Sequence, residues 1–326
     1  MAGYEGARDG RDGRGGRGGR GDGRRQGGGR RRRGARAEAA AEHIREQADR
    51  YAKEIEASAA GTRRIDGTPR AGAAEPAAPR VTVAPESTAD AVLARGRGRV
   101  RLCDMAVLDF ASFTQPGGGY DRGAWGQEQA MCSESFLYNV LERQGDWYRE
   151  NRRRNINCEL YRNRALAVPG VRFTRDNVHA YADVIVAAAP DARRAREEYG
   201  VDEGTLARAM RDRIRFALAV ADSLGKEKLV LGAYGCGAFG WDAEAVAKMF
   251  FEELATGAHA AREVVFAVPE TRHDEHYAVF AHVLGGFPEA NPVPYAEAKA
   301  AADAERAAAD AAAEDEDEED DWRKYL

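Results

Sequence analysis

Apolar residues along this chain fall into two kinds of pattern, and the kinds alternate. Val100 to Phe110, Tyr181 to Ala188, Lys228 to Ala233 and Glu263 to Val268 are runs of strand length, three of them dense in Val, Leu and Ile, as in strands buried on both faces. Between them apolar residues recur every three or four positions. Leu206, Met210, Ile214, Ala217, Leu218, Ala221 and Leu224 form one stripe, and Ala245, Val246, Met249, Phe250 and Leu254 another. Each predicts a helix that turns one face to a core. A similar spacing from Ala35 to Ala60, through Ile44, Ala48, Tyr51 and Ile55, predicts a helix packed on the domain. Gly61 to Pro79, with its Gly and Pro residues, reads as a linker or covering loop. The order predicts a layered α/β domain.

Composition adds the ends. With 326 residues, 44% of them hydrophobic, the chain can bury one core of about 200 residues plus appendages. Residues 1–36 are nearly all Gly and Arg, with Arg-Gly-Gly at Arg14 and Arg17 and the run Arg30 to Arg33, and are predicted to be a disordered arm. Residues 37–80 then form an accessory helix and linker, 81–287 the domain, and 288–326 a tail that is Ala-rich and then acidic, with unbroken carboxylates from Glu314 to Asp321. The net charge of −5 hides this basic head and acidic tail. The head has two readings: an arm that binds RNA or another polyanion through phosphate contacts, or a solubilising extension. The tail reads as solvated, or as folding back to mask the head.

The four cysteines, Cys103, Cys132, Cys158 and Cys236, include no Cys-x-x-Cys pair, and among the six histidines only His273 and His276 are close. Neither spacing suggests zinc or a disulfide, and no metal or cofactor is expected. No twenty-residue apolar run exists, and the Arg-rich start lacks the apolar core of a signal peptide. A cytoplasmic monomer without a membrane partner is the expectation.

Chemistry concentrates in two glycine-rich loops, both placed by the pattern at the carboxyl ends of strands, where open α/β sheets hold ligands. The first is Gln115-Pro116-Gly117-Gly118-Gly119, followed after a short spacer by Gln127-Glu128-Gln129 at an apparent helix start. The second, Gly232 to Gly240, contains Gly235-Cys236-Gly237-Ala238-Phe239 and precedes another helix. Backbone free of side chains can turn its N–H groups onto phosphate, and a helix N-terminus adds to the attraction. Neither loop fits a P-loop or a dinucleotide-binding fingerprint, since no Lys-Ser or Lys-Thr follows the glycines and no Gly-x-Gly-x-x-Gly opens the chain's first unit. Cys236 reads as a small residue fitted against the core rather than a nucleophile, because no basic partner is evident.

Together the loops resemble the microbial-type poly(ADP-ribose) glycohydrolase family, whose signature is Gly-Gly-Gly, a short spacer and Gln-Glu-Glu. The resemblance runs from about Val81 to about Leu284. It implies a macrodomain-like three-layer α/β/α sandwich with a mixed sheet, ADP-ribose or poly(ADP-ribose) as ligand, and cleavage of a ribosyl O-glycosidic bond. It further implies that Gly117, Gly118 and Gly119 enclose the terminal ribose, that Gln127 and Ala238 belong to the ligand site, and that Gly235, Cys236 and Gly237 supply amides to the diphosphate. Phe239 corresponds to the aromatic residue against the ribose. Asp109, before Phe110-Ala111, either touches the ligand or closes its strand. In the family the second Glu of the motif is the catalytic acid, and here that position is Gln129. An amide cannot deliver the proton that glycosidic cleavage needs. Three outcomes stand open: Glu128 takes the role, Glu134 takes it, or the chain holds ADP-ribose without cutting it.

Overall fold

The computed structural model describes residues 23–70 and 78–323. Helices α1 (Gly23–Arg50) and α2 (Ala52–Gly61) lead into β1 (Arg63–Asp66), β2 (Arg80–Ala84), α3 (Thr88–Arg95) and β3 (Met105–Phe110). The glycine loop and α4 (Gln127–Ser133), α5 (Leu137–Leu141) and α6 (Gly145–Arg154) follow, then the long pair β4 (Arg164–Arg175) and β5 (Val178–Ala187). The remainder alternates: α7 (Ala192–Tyr199), α8 (Glu203–Leu224), β6 (Lys228–Leu231), α9 (Ala243–Ala255), β7 (Glu263–Ala267), α10 (His276–Leu284) and α11 (Tyr295–Arg323).

The strands form one mixed sheet in the order β1-β4-β5-β3-β6-β7-β2. β5, β3, β6, β7 and β2 run parallel, while β4 pairs antiparallel with both β5 and β1. Side chains along β3 alternate between two cores, as a period of two requires. Ala106 and Leu108 face α8, α9 and α10, whereas Met105 and Val107 face α3, α4, α5 and α6. This is the three-layer sandwich expected from the sequence. The carboxyl ends of β3, β5, β6 and β7 open on one edge, and both glycine loops lie there.

Differences from the sequence reading have local causes. Val100 to Leu102, assigned to the first strand, form a 3-10 turn with Val100 and Leu102 exposed, so β3 begins at Met105. The supposed linker contains β1, whose backbone pairs Ile65 with Ala165 at the sheet edge. The predicted helix from Ala35 to Ala60 is two helices broken at Tyr51, whose buried ring packs near Phe136. Within the span expected to be a disordered arm, Gly23–Arg36 are helical. Tertiary contact explains it: Arg33 and Arg36 donate to the carbonyls of Arg122 and Gly123, and Ala40 is buried. Residues 1–22 of that arm lie outside the described residues. The acidic tail continues α11 as far as Arg323. Among the described residues no helix is long and apolar enough to cross a membrane.

Candidate active site

A cavity of about 840 Å³ opens at the carboxyl ends of the parallel strands. Phe110 to Phe113, Gly118 and the segment Ala124 to Met131 form one wall. The second loop contributes Gly235, Gly237, Ala238 and Phe239, and Val268, Pro269, Thr271, Asp274 and His276 line the side beyond β7.

The first loop can take its shape because of glycine. Gly117, Gly118 and Gly119 have φ of 59°, 55° and 86°, three consecutive left-handed residues that L side chains rarely adopt. Gly118 is also crowded. A Cβ there would overlap Gln129 Nε2 and stand 2.6 Å from Glu128 Oε2.

The Gln-Glu-Gln motif opens α4, and its three side chains do different things. Gln127 ties the helix to β3: the Phe110 N–H donates to its Oε1 at 2.9 Å, and its Nε2 donates to Leu108 O at 3.0 Å and Thr88 Oγ1 at 3.1 Å. That pairing occupies both ends of the amide. Gln129 turns toward the loop, where Nε2 donates to Gly117 O at 2.9 Å. A carbonyl at that distance demands a donor, so an ionised carboxylate there would be repelled and a carboxyl would have to hold its proton.

Glu128 is buried at 3% exposure and lines the cavity. Its Oε2 accepts the Ser112 N–H at 2.8 Å, while Oε1 is buried without a protein partner. Burial, followed by the neighbouring Asp109, holds its pKa well above the usual carboxylate range. Asp109 is fully buried on β3, neither oxygen has a partner, and burial pushes its pKa up to about 8. Two adjacent buried carboxyls cannot both ionise cheaply, so the pair retains protons near neutrality.

Other predicted residues divide. Gly118, Gln127, Glu128, Gln129, Gly235, Gly237, Ala238 and Phe239 line the cavity; Gly117, Gly119 and Cys236 do not. Cys236 is buried in the core, and burial pushes its thiol up, so it contributes packing and no nucleophile. The first residues of the helix after the second loop are not among those that line the cavity. α9 starts at Ala243 and is capped by the Asp242 carboxylate, which accepts the Ala245 N–H. The loop itself lines the cavity, and no heavy atom comes within 4 Å of a Cβ on Gly237. Glu134 caps the far end of α4 outside the cavity and pairs with Arg175 at 3.1 Å, so it is not placed to act on a ligand.

The sequence reading missed Tyr161, Arg194 and the Phe113 ring. Tyr161 lines the cavity, stacks on Phe113 with centroids 4.5 Å apart and meets Phe239 edge-on at 6.4 Å. Its segment contains four non-glycine residues at positive φ: Asn157, Cys158, Glu159 and Tyr161. Buried Arg213 of α8 holds that segment, donating to the carbonyls of Leu160, Tyr161 and Ala188 and to Asn163 Oδ1. Arg194 brings a cation to the cavity and is paired with Glu159 and Glu198. Nothing in a linear motif links Tyr161 to Phe239; only the fold does. Among the described residues no group of three His, Cys, Asp or Glu side chains is arranged to hold a metal ion.

Comparison with known proteins agrees with this geometry. Residues 33–176 match the model of the microbial-type PARG catalytic domain. Poly(ADP-ribose) glycohydrolase from Thermomonospora curvata is 29% identical, with a TM-score of 0.63 over 76% of this chain and 98% of that one. Its complex with the inhibitor ADP-HPD gives 29% and 0.62 over the same shares. The enzyme from Deinococcus radiodurans, solved with ADP-ribose, is 30% identical, with a TM-score of 0.61 over 72% of this chain and 98% of that one. None of the curated proteins compared matches the chain. Three left-handed glycines facing a buried glutamate, in a chain that matches nearly the whole length of these enzymes, place it in the microbial-type poly(ADP-ribose) glycohydrolase family.

Proposed function

We propose that this chain hydrolyses the ribosyl O-glycosidic bond of poly(ADP-ribose) or of ADP-ribosylated targets, with Glu128 as the acid. The observation that carries this is Glu128 itself: a buried carboxyl on the cavity wall, fixed by the Ser112 amide, whose burial holds its pKa well above the usual carboxylate range. Cleavage at an anomeric carbon requires a proton on the departing oxygen as positive charge develops on the sugar. Glu128 delivers that proton while the C–O bond breaks and its electron pair goes to the leaving oxygen. The carboxylate left behind then accepts a proton from the water that adds to the sugar, which restores the acid. The second loop supports the diphosphate by close backbone approach, and Phe239 with Tyr161 supplies an aromatic wall for the sugar. Asp109 raises the proton affinity of Glu128 without reaching the cavity wall itself.

One observation favours a second reading, a module that binds ADP-ribose without cutting it. Gln129 stands where the family motif has its second Glu, and its amide is committed to Gly117 O. Calorimetric titration with ADP-ribose beside a hydrolysis assay on poly(ADP-ribose) separates the two. Binding with turnover is expected, binding without turnover selects the second reading, and no binding rejects both.

A further inference from the structure

Trp125 is a large apolar side chain that is 66% exposed, yet it stands two residues before the start of the helix that carries Glu128. It lies on a ridge between two concavities. One is the main cavity; the other is a hollow of about 220 Å³ between α1 and the segment Tyr120 to Trp125. The two share Ala124 and Trp125, and the hollow is completed by Arg36, Ala39, His43 and Ser133. It is a built feature. Arg36 Nε donates to Gly123 O at 2.9 Å, and His43 Nε2 bonds Ser135 O at 3.0 Å. Backbone of α1 approaches Gly123 so closely that no side chain fits at that position. Along α1 from Arg36, the arginines Arg30 to Arg33 lie exposed on the same helix.

We propose that the hollow, with Trp125 as its stacking platform, is a second subsite for the adenine nucleotide on the leaving side of the bond. This rests on the function proposed above and deepens it. An acid stands on the side toward which the leaving group departs, and Trp125 and Glu128, three residues apart in the chain, both line the main cavity. In the polymer the leaving oxygen belongs to the adenosine ribose of the next unit, so that unit's base and diphosphate must cross the lip at Trp125. An exposed indole stacks on any base face, and the Arg36 guanidinium beside it attracts phosphate. The exposed arginines of α1 extend this field to the polyanion beyond.

Calorimetry on the full chain tests this with ADP-ribose and with a two-unit oligomer as probes. The oligomer is titrated into Glu128→Gln so that it is not cleaved, and ADP-ribose into both Glu128→Gln and wild type. The oligomer is expected to bind about tenfold tighter than ADP-ribose, the scale of one stacked base. Trp125→Ala should remove that advantage. Ala39→Glu, a helix-tolerated change in the hollow away from the main cavity, should do the same by repelling phosphate and leave ADP-ribose affinity within about twofold. Equal affinity for the two probes, or an oligomer advantage that survives both substitutions, overturns the subsite while leaving the hydrolase reading intact. Failure of ADP-ribose to bind the wild-type chain overturns both.

Discussion

Substituting Gly118 with Ala is the smallest change that reaches both the first loop and the acid. Its φ of 55° costs a residue with a Cβ about 1–2 kcal/mol. The new methyl carbon would overlap Gln129 Nε2 and lie 2.6 Å from Glu128 Oε2. On exposed flexible side chains such overlaps relax cheaply. Here both groups are buried and bonded, to Gly117 O at 2.9 Å and the Ser112 N–H at 2.8 Å, so relief breaks at least one buried hydrogen bond, worth about 1–3 kcal/mol. The sum is about 2–5 kcal/mol, or roughly 5–15 °C in Tm if the domain bears it globally. If the loop bears it locally, the loss appears in ADP-ribose affinity. Gly237→Ala is the control, since it lines the same cavity with open space around its Cβ, and should change stability by less than about 0.5 kcal/mol. Thermal melts with and without ADP-ribose read both quantities. A Gly118→Ala protein that melts and binds like wild type refutes the packing described for the loop.

Three further outcomes follow from the same geometry. Because the folded protein raises the pKa values of Asp109 and Glu128, it holds protons that the unfolded chain releases above about pH 4. Their contribution to stability is therefore greatest at low pH and falls as pH rises toward 8. Asp109→Asn should flatten the stability profile between about pH 5 and 8, measured by denaturant unfolding across that range. Arg213→Met leaves the carbonyls of Leu160, Tyr161 and Ala188 without their donor and should cost about 2–4 kcal/mol in urea unfolding, with weaker ADP-ribose binding as Tyr161 loosens. Glu134→Gln loses only a partly exposed ion pair with Arg175, so hydrolysis rates should stay within about twofold and stability within about 1 kcal/mol.

Much of this was legible in the chain where pattern reflects burial. The strand containing Val107 and Leu108 is apolar because both faces are covered, and the stripes of α8 and α9 repeat at the helical period. The first glycine loop announced itself because three left-handed residues in a row leave little choice but glycine. What stayed hidden depends on contacts between distant segments. β1 holds one apolar residue among Arg, Arg and Asp and is a strand only because the β4 backbone pairs with it. β4 is interrupted at Pro169-Gly170, where its register with β5 shifts. The start of α1 is rich in Gly and Arg, and its helical state relies on the carbonyls of Arg122 and Gly123. Glu128 could be named from its motif, but its burial beside Asp109, and the commitment of Gln127 and Gln129 to backbone groups, required the fold.

The most direct test of the central claim is the rate of poly(ADP-ribose) hydrolysis by Glu128→Gln, measured with its affinity for ADP-ribose. The amide keeps the shape of the side chain and can still engage the loop, so affinity should stay within a few-fold while turnover falls about a hundredfold or more, as loss of a general acid requires. A Glu128→Gln protein that hydrolyses the polymer as fast as wild type contradicts the assignment.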